Sequence, residues 1–574
     1  MPQGPPRRPP TRRPAGASRR ASARTRSRRI RALTGVAVLL MLLLGARAAF
    51  IGTVRAGDLS ARGREAQRTE VDLIAQRGAI LAADGTDLST DQLAVDVTAS
   101  PMVVTDPREV AAQLGPILKR DPNVLANTLS AGGGYAMLAR AVPPKAADRA
   151  RALGLPGIYF SDTYKRFLPG RFQASQVIGL TGDTHEGISG LEKQYDATLT
   201  GTPGHRVEVR DLFGRPIQVL SDREAVEGGD VRVTIDPAIQ EFTESTLAAT
   251  REQYGAKSAM AIVMNPQDGS ILAMATVPRF DPNDRRVVNP ELERNRPVVD
   301  TFEPGSTFKI VAMTAALDDG KITPQTPFHL PGSAIELYDG KFTLKDSHEH
   351  GPEDLTATEI LEQSSNIGVS QISLKVGRER LEAWMKRFGF GATTGIDFPG
   401  EAAGYLPPGD KWFGTGIYTF PIGQGVTVTL AQLARAYAAI ANGGNLVTPH
   451  LLSGAPEAAG SRRIMHARTA HQVDRMLRKV VSEKDGTGTL AEVPGYDVAG
   501  KTGTAEKVDP TTGRYDHALY TSSFVGYAPA DDPRILVAVV VDEPTGGSYY
   551  GGDVAAPAFA DITEFTLQRQ RIRP

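Results

Sequence analysis

Two reactive side chains stand three residues apart in the segment "EPGSTFK". Ser306 and Lys309 follow Pro304-Gly305, which we expect to introduce a helix, so that both side chains project from one face. A serine hydroxyl becomes a strong nucleophile only when a base lies within hydrogen-bond reach. Lysine can be that base if burial or a nearby cation lowers its pKa. The pattern predicts a nucleophile at 306 and its base at 309, although S-x-x-K alone is a short pattern that arises by chance.

A second group of polar side chains lies in "LEQSSNIG". Ser364 could relay a proton and Asn366 could bind a substrate amide. Considered alone, serine and asparagine in such a segment are more typical of a helix cap or a turn. This segment therefore indicates a catalytic site only in combination with other motifs of the chain.

The segment "GYDVAGKTGTAEK", residues 495–507, fits two incompatible patterns. Gly495, Gly500, Lys501 and Thr502 match the G-x-x-x-x-G-K-T phosphate loop, whereas Lys501-Thr502-Gly503 matches the K-T-G element of serine enzymes that react with penicillin. A phosphate loop follows a buried strand and opens a helix. Here "DVAGKTGTA" itself has the pattern of a strand, so the nucleotide-binding interpretation is disfavoured. Lys501 then becomes the cation that could lower the pKa of Lys309.

The order S-x-x-K, S-x-N, K-T-G within one chain is typical of penicillin-binding proteins and their β-lactamase relatives. Longer stretches extend the likeness, among them "RNRPVVDTFEPGSTFKI", "GIDFPGE" and "IGQGVTVTLAQLARAYAAIANGG". Residues 230–568 resemble the transpeptidase domain of class B penicillin-binding proteins. "RFLPGRFQASQVIGL" and "GISGLEKQYDATLTGTPG" resemble that family's pedestal. "RGAILAADG" departs from the family, which usually has Asp-Arg-Asn before the glycine, and this puts the pedestal contacts in doubt.

The resemblance implies an acyl-enzyme mechanism. Ser306 would attack the carbonyl of the penultimate D-alanine of a peptidoglycan stem peptide, and the amine of a neighbouring stem would then take the acyl group. β-Lactams would acylate the same serine. The backbone N–H groups of Ser306 and Thr504 would form the oxyanion hole. The implied catalytic residues are Ser306, Lys309, Ser364, Asn366 and Lys501, and the implied substrate-binding residues are Thr502, Gly503 and Thr504.

The elements around these motifs predict an α+β fold. Two strand pairs, "SAMAIVM" with "SILAMATV" and "SSFVGYA" with "RILVAVVVDE", bracket a helix-rich block. We therefore expect an antiparallel sheet covered by helices. The region before Gly228-Gly229 alternates strand-like runs with short helices and shows no cluster of reactive side chains, as expected for a mixed, β-rich pedestal.

The N-terminal region combines eleven arginines and no acid in residues 1–31 with an apolar run over residues 32–54. The first part predicts a disordered basic tail, and the second has the length of a single transmembrane helix. Arginines before an apolar span indicate a cytoplasmic N-terminus, so nucleic-acid binding is disfavoured. Ala46-Arg47-Ala48 also fits a signal-peptide cleavage site. With either outcome, the bulk of the chain lies outside the cytoplasm of a bacterial cell.

These observations predict five segments: a basic cytoplasmic tail (1–31), a transmembrane anchor (32–54), a pedestal of dimerisation type (55–228), a transpeptidase domain (229–568) and a short tail (569–574). The resemblance implies that the partners are stem peptides, β-lactams, a membrane glycan polymerase and other division-complex proteins. No cofactor is expected. His348-Glu349-His350 lacks the i, i+4 spacing of a helical zinc pair, so we interpret it as a solvated loop and expect no metal.

Several alternatives stay open within the family. The compact run from "GIDFPGE" to "IGQG" favours the septal, FtsI-type division group, but a transpeptidase of lateral wall elongation is the alternative. A β-lactam sensor could retain every motif, and a non-catalytic division scaffold could retain the fold. A class A β-lactamase is disfavoured because no E-x-x-L-N pattern lies between Asn366 and Lys501. A bifunctional synthase is disfavoured because residues 55–228 are too few for a second enzyme domain.

Overall fold

A computed structural model describes residues 18–574 apart from 211–215, 285, 287–288, 413, 455–460 and 510. The chain divides into two units. One consists of the chain up to Leu73 together with Gly204–Glu224, and the other consists of Ile74–Pro203 and Ala225–Pro574. The segment predicted as one pedestal, residues 55–228, therefore contributes to both units.

The strands of the described residues are numbered in chain order. They are β1 (Arg68–Leu73), β2 (Ile80–Leu81), β3 (Asp87–Ala99), β4 (Ala136–Val142), β5 (Ile158–Phe167), β6 (Gly204–Arg210), β7 (Pro216–Arg223), β8 (Val231–Arg232), β9 (Ser258–Met264), β10 (Ile271–Val277), β11 (Pro327–Leu330), β12 (Ala334–Leu337), β13 (Phe342–Lys345), β14 (Glu353–Thr356), β15 (Asn445–Leu446), β16 (Arg462–Arg463), β17 (Ala499–Val508), β18 (Tyr515–Ala528) and β19 (Ile535–Asp542).

The α-helices are numbered in the same way. They are α1 (Ser18–Thr53), α2 (Ala56–Gln67), α3 (Pro107–Leu118), α4 (Pro122–Ser130), α5 (Pro144–Arg151), α6 (Ser175–Ile178), α7 (Gly190–Gln194), α8 (Asp196–Leu199), α9 (Pro237–Gln253), α10 (Pro290–Glu293), α11 (Arg296–Val299), α12 (Lys309–Asp318), α13 (Ala357–Glu362), α14 (Asn366–Val376), α15 (Arg378–Arg387), α16 (Gly416–Thr419), α17 (Leu430–Ala441), α18 (Ala467–Ser482) and α19 (Gly551–Arg569). Short 3-10 helices lie at Gly305–Phe308, Gly409–Lys411, Phe420–Ile422 and Thr489–Ala491.

The first unit contains α1, α2 and an antiparallel sheet of order β1-β6-β7. Within α1, residues Arg26–Thr53 are long and apolar enough to cross a membrane. The predicted disordered tail needs correction in part, because the helix already begins at Ser18, whereas residues 1–17 lie outside the described part of the chain. Arginine, which makes up seven of the fourteen residues 18–31, is a strong helix former, so the apolar helix extends backwards through this segment.

The pedestal part of the second unit is built around the long strand β3, which pairs antiparallel with β4 and β5. Helices α3, α4 and α5 close a small apolar core against these strands. The short strand β2 pairs antiparallel with β3 on one side and parallel with β8 on the other, with Ile80 opposite Val231. The strand predicted to open the transpeptidase domain is therefore hydrogen-bonded to the pedestal.

A buried ion cluster holds the pedestal at the segment that departs from the family pattern. The Glu192 carboxylate is fully buried and accepts hydrogen bonds from Arg77 Nε at 2.7 Å, Arg166 Nε at 2.6 Å and Ser89 Oγ at 2.8 Å. A buried carboxylate needs such compensation, because it has lost its hydration. The contacts of Arg77 are thus made, even though the residues after it differ from the family's usual ones.

The larger part of the second unit centres on a five-stranded antiparallel sheet of order β10-β9-β19-β18-β17. Strands β9 and β19 are buried along their whole length apart from Asp542, because helices cover both faces of the sheet. Met260, Ile262 and Met264 belong to one core, which includes α12 and α17. Ala259, Ala261 and Val263 alternate with them and belong to a second core with α9 and α19. The predicted α+β fold, with its helix-covered sheet, is confirmed.

Candidate active site

The predicted nucleophile lies in a 3-10 turn that runs directly into α12. Ser306 is in the 3-10 segment Gly305–Phe308, and Lys309 is the first residue of α12. Residues i and i+3 of a 3-10 helix lie one above the other, which places the two side chains on one face, as the spacing predicts. The turn requires glycine at 305, because this residue has φ +57° and an added Cβ would lie 2.8 Å from the Thr504 carbonyl oxygen.

The Lys309 side chain is completely buried beneath the site. Its Nζ donates hydrogen bonds to the carbonyl oxygen of Ser364 and, at 3.1 Å, to Ser364 Oγ. Burial disfavours the charged ammonium and lowers the pKa of Lys309 to about 7, against the opposing attraction of the Asp346 carboxylate. Near neutral pH a large fraction of this lysine is therefore uncharged, which is the condition for accepting a proton.

The S-x-N segment is held by a carboxylate from a distant part of the chain. Ser365 is the N-cap of α14, and Asp346, directly after β13, accepts hydrogen bonds from Ser365 Oγ at 2.8 Å and from the backbone N–H groups of Asn366 and Ile367. Ser364 has φ +62°, a left-handed conformation that a serine adopts only when its surroundings impose it. The interpretation as a helix cap is right for Ser365. Ser364 precedes this cap and lies beside Lys309.

Asp346 also contacts His350, whose Nε2 lies 3.1 Å from a carboxylate oxygen. Residues 348–350 lie in a loop, as interpreted from the sequence, and His348 and Glu349 are exposed. His350 is only partly exposed and pairs with Asp346 and Glu353. In the part of the chain that the structure describes, we find no group of three or more His, Cys, Asp or Glu side chains that could hold a metal ion.

The K-T-G segment lies on β17, one of the two edge strands of the central sheet, paired with β18. This is strand geometry and not the loop and helix start that a phosphate loop requires. Lys501 is completely buried, and its Nζ donates to Thr502 Oγ1 at 3.1 Å and to Thr487 Oγ1 at 3.3 Å. Burial, reinforced by the nearby charge of Lys309, holds the pKa of Lys501 well below its ordinary value.

A cleft of about 250 Å³ opens where these segments meet. Three helical segments begin at its walls: the 3-10 turn at Gly305, α14 at Asn366 and α19 at Gly551. A helix N-terminus carries positive potential, so the cleft favours an anionic group. The lining residues include Ser306, Ser347, His348, Ser364, Asn366, Gln424, Thr487, Thr502, Thr504, Tyr550 and Asp553.

The structure brings all the sequence-predicted site residues together. Five of them, Ser306, Ser364, Asn366, Thr502 and Thr504, line the cleft, and Lys309 and Lys501 lie buried beneath it. Gly503 has a packing position instead, because an added Cβ would lie 2.8 Å from the Pro304 carbonyl oxygen. Strand β17 thus passes close to the Pro304 carbonyl oxygen, beside the nucleophile.

Two residues at the site escaped the sequence-based prediction. Asp346 and Thr487 belong to no recognised motif. Asp346 lies 20 residues before Asn366, and Thr487 lies 14 residues before Lys501. A carboxylate that precedes a short helix is frequent in protein sequences, and so is a threonine in a glycine-rich loop. No local signal distinguishes either residue, so only their positions in space identify them.

Chemically, this arrangement suits acyl transfer through a serine. It combines a hydroxyl at a helix start, a buried lysine of lowered pKa, a serine hydrogen-bonded to that lysine and a wall that favours anions.

Comparison with known families identifies the class of acyl transferase to which this site belongs. The family profile of the penicillin-binding protein transpeptidase domain matches residues 259–564, and that of the penicillin-binding protein dimerisation domain matches residues 72–233. The chain belongs to the class B penicillin-binding proteins.

Relatives within this family match along most of the chain. A probable peptidoglycan D,D-transpeptidase PbpC of Pseudomonas aeruginosa is 36% identical over 85% of this chain and 86% of its own length. The peptidoglycan D,D-transpeptidase FtsI of Escherichia coli is 32% identical over 94% of this chain and 92% of its own. The protein is thus an enzyme of a serine transpeptidase family.

Solved structures agree with this assignment. The crystal structure of penicillin-binding protein 3 from Mycobacterium tuberculosis in complex with aztreonam has a TM-score of 0.68 and 30% identity to this chain. The likeness covers 88% of this chain and 98% of the mycobacterial one. The pedestal and the transpeptidase domain therefore share their fold with an established member of the family.

Proposed function

We propose that this class B penicillin-binding protein cross-links peptidoglycan stem peptides through an acyl-enzyme on Ser306. The observation that carries the proposal is the placement of Lys309, completely buried and bonded to Ser364, directly below the cleft that Ser306 lines. The uncharged form of this lysine accepts the Ser306 proton as Oγ attacks the carbonyl of the penultimate D-alanine. The backbone N–H groups of Ser306 and Thr504 receive the developing oxyanion.

Collapse of the tetrahedral intermediate expels the terminal D-alanine. Its amine nitrogen takes a proton from the Lys309 ammonium by way of Ser364 Oγ, which accepts a hydrogen bond from Lys309 Nζ at 3.1 Å. The amine of a second stem peptide then attacks the acyl carbon and transfers its proton along the same route. Ser306 is regenerated and a new peptide bond joins the two stems.

Substrate orientation comes from the two walls of the cleft. We assign Asn366 to the substrate amide, because its side chain lines the cleft while its Nδ2 is anchored on the Lys345 carbonyl oxygen at 2.7 Å. Thr502 and Thr504, with the buried Lys501, receive the terminal carboxylate. Gly503 permits the close approach of the strand to Pro304. A β-lactam presents the same carbonyl and carboxylate and acylates the same serine.

The decisive experiment is intact-mass analysis of the full-length protein in detergent, incubated with benzylpenicillin. We expect one adduct of the drug's mass on the parent and none on Ser306→Ala. Ser370→Ala is a matched control, because this buried serine lies on α14 of the same domain, belongs to no motif and does not line the cleft, so the variant must still be acylated. A folded parent without an adduct contradicts the proposal.

Acylation alone does not separate a transpeptidase from a β-lactam sensor. A cross-linking assay with nascent glycan strands distinguishes them, since a transpeptidase forms stem dimers and a sensor forms none. The buried lysine pair and the serine relay beside it favour the enzyme, because a sensor needs acylation but no second amine. Absence of dimers from an acylation-competent protein would favour the sensor.

We further propose a place and a cellular role. The apolar helix at Arg26–Thr53 supports retention in the bacterial cell membrane, with the basic tail cytoplasmic and the catalytic domain outside. Relatives include the Escherichia coli FtsI and a stage V sporulation protein D of Bacillus subtilis, and this likeness supports a role in division. Its partners at the septum would be a glycan polymerase and other division proteins. Depletion should therefore produce filaments without septa, and short rounded cells would indicate the elongation role instead.

A further inference from the structure

One histidine in the cleft wall has no part in the mechanism described above. His348 lines the same cleft as Ser306, and its side chain is exposed. Among the residues that the structure describes, its ring nitrogens have neither a hydrogen-bond partner nor an acid within ion-pair distance. His350 differs, because its ring is paired with Asp346 and Glu353. The imidazole of His348 is therefore free to exchange a proton with a molecule in the cleft.

The loop that carries His348 is short and is held at both ends. Its first residue, Asp346, donates its backbone N–H to the Ser333 carbonyl oxygen at 2.9 Å, and the Ser333 N–H donates at 3.1 Å to the carbonyl oxygen of His350, the last residue of the loop. Between them, the His348 ring lies beside the Tyr550 ring, with 6.5 Å between the centroids and 30° between the planes. Tyr550 is the N-cap of α19 and lines the same cleft. The imidazole thus has a defined place between this loop and the start of α19.

The proton balance of the proposed reaction requires a second proton carrier. An amine of the lysine type is an ammonium group near neutral pH, and two of its three protons must leave as its nitrogen becomes an amide nitrogen. Lys309 and Ser364 return one of them to Ser306 Oγ. D-Alanine, expelled as an uncharged amine, takes up one proton to leave as an ammonium ion. The second proton that the acceptor loses is therefore balanced by the one that D-alanine gains, and a single carrier can serve both half-reactions.

The other titratable side chains around His348 are less suited to this transfer. The hydrogen bond with Tyr549 raises the pKa of Tyr550 to about 12, so this phenol keeps its proton. The Asp553 carboxylate already accepts a hydrogen bond from Ser548 Oγ at 2.7 Å. Histidine is the side chain that ordinarily both gives and takes a proton near neutral pH. The remaining groups are Asp346 and His350, which pair with each other, the exposed Glu349, and Lys309 and Lys501, which lie buried below the cleft.

We propose that His348 is a further catalytic residue, which carries the second proton between the two half-reactions. As the imidazolium ion it gives a proton to the amine nitrogen of the departing D-alanine. As the neutral imidazole it then takes a proton from the ammonium group of the entering stem peptide, and the freed amine attacks the acyl carbon. The histidine ends each turnover in the state in which it began. The inference rests on the proposed transpeptidase function and adds a second proton route to it.

The test compares two acceptor amines on the full-length protein in detergent, with an N-acyl-D-alanyl thioester as the acyl donor and mass spectrometry of the products. D-Alanine enters as an ammonium ion, and the site must accept it because it is the leaving group of the same reaction in reverse. Hydroxylamine is mostly uncharged at neutral pH and needs no base before it attacks. For His348→Gln at about pH 7 we expect transfer to D-alanine to be at least about tenfold slower, and transfer to hydroxylamine to stay within about twofold of the parent.

The pH dependence separates a lost base from a distorted site. As the pH rises towards about 10, D-alanine supplies its own uncharged amine, so the defect of His348→Gln should shrink to less than about threefold. His348→Ala must show the same dependence on acceptor and on pH, because both variants lack the imidazole.

His471→Gln is the matched control, since this exposed histidine lies on α18 and does not line the cleft; it should react like the parent with both amines. Equal losses with the two amines, no loss with D-alanine, or a defect that stays unchanged at high pH overturns the inference. A parent that forms the acyl-enzyme from the thioester but transfers the acyl group to neither amine overturns the proposed function itself.

Discussion

Lys309 Nζ donates a hydrogen bond to Ser364 Oγ at 3.1 Å, and both side chains are buried in a region that also holds the Lys501 amino group. Two buried amino groups so close together cannot both be protonated without an electrostatic cost. Asp346 is the opposite charge that acts on Lys309. The reactivity of Ser306 therefore depends on the protonation state of Lys309. Burial of the Lys309 side chain has a larger effect on this protonation state than the charge of Asp346.

The first prediction concerns the pH dependence of acylation. Because the pKa of Lys309 is lowered to about 7, the uncharged base accumulates as the pH rises through 7. The rate of benzylpenicillin acylation, followed by mass spectrometry, should rise through that pH and level off above it. Lys309→Arg stays protonated and should lose at least about a hundredfold in rate, the usual contribution of a positioned base. A profile that stays flat from mildly acidic to mildly alkaline pH would contradict the role of Lys309.

The same burial has a consequence for stability. The pKa of Lys309 is about 7 in the folded protein and 10.5 in the unfolded chain, so the unfolded state binds more protons between these values. The parent should gain stability as the pH rises from about 7 towards 10.5. Lys309→Met removes the buried charge and should raise the thermal midpoint by several degrees at about pH 6, with a difference that shrinks towards about pH 10. A methionine variant that melts lower in mild acid would show that the lysine contributes packing that methionine cannot replace.

A third prediction concerns Asp346. Its carboxylate accepts from Ser365 Oγ at one oxygen and from two backbone N–H groups at the other, and an amide keeps only one acceptor oxygen and turns an N–H group towards the remaining donors. Asp346→Asn should lower the acylation rate by about tenfold or more and the free energy of unfolding by about 1–3 kcal/mol, because α14 loses the anchor of its N-terminus. Asp354→Asn is the control, since that exposed carboxylate pairs with the exposed His329 away from the cleft. Equal behaviour of the two variants would remove Asp346 from the site.

A fourth prediction tests the close approach beside the nucleophile. Gly305→Ala places a Cβ at φ +57° and 2.8 Å from the Thr504 carbonyl oxygen, so the strand and the Ser306 turn must separate. We expect no measurable benzylpenicillin adduct within the time the parent needs for completion. Gly320 has a similar φ of +67° with no atom within 4 Å of an added Cβ. Gly320→Ala should cost about 1 kcal/mol of stability, for its left-handed backbone alone, and leave acylation unchanged.

Much of the architecture follows from local sequence. Asp236 and Pro237 predict the start of α9, and the Asp236 carboxylate indeed accepts from the N–H groups of Ala238 and Ile239. The strand pair β9 and β10 could likewise be predicted from its apolar runs and its turn. The start of α1 could not be predicted in this way. Whether a basic segment forms a helix or a coil depends on the helix that follows the segment in the chain.

The sequence by itself determined the order of the three motifs, the strand character of residues 499–508 and the presence of an apolar helix near the N-terminus. These features depend on neighbours along the chain, such as turn residues, alternation and apolar length. Only the tertiary structure decided that Lys309 and Lys501 are both buried, that Asp346 anchors the S-x-N segment and that Thr487 accepts a hydrogen bond from Lys501. A pKa and a hydrogen-bond partner depend on which distant side chains surround a group, and that is established only when the chain packs.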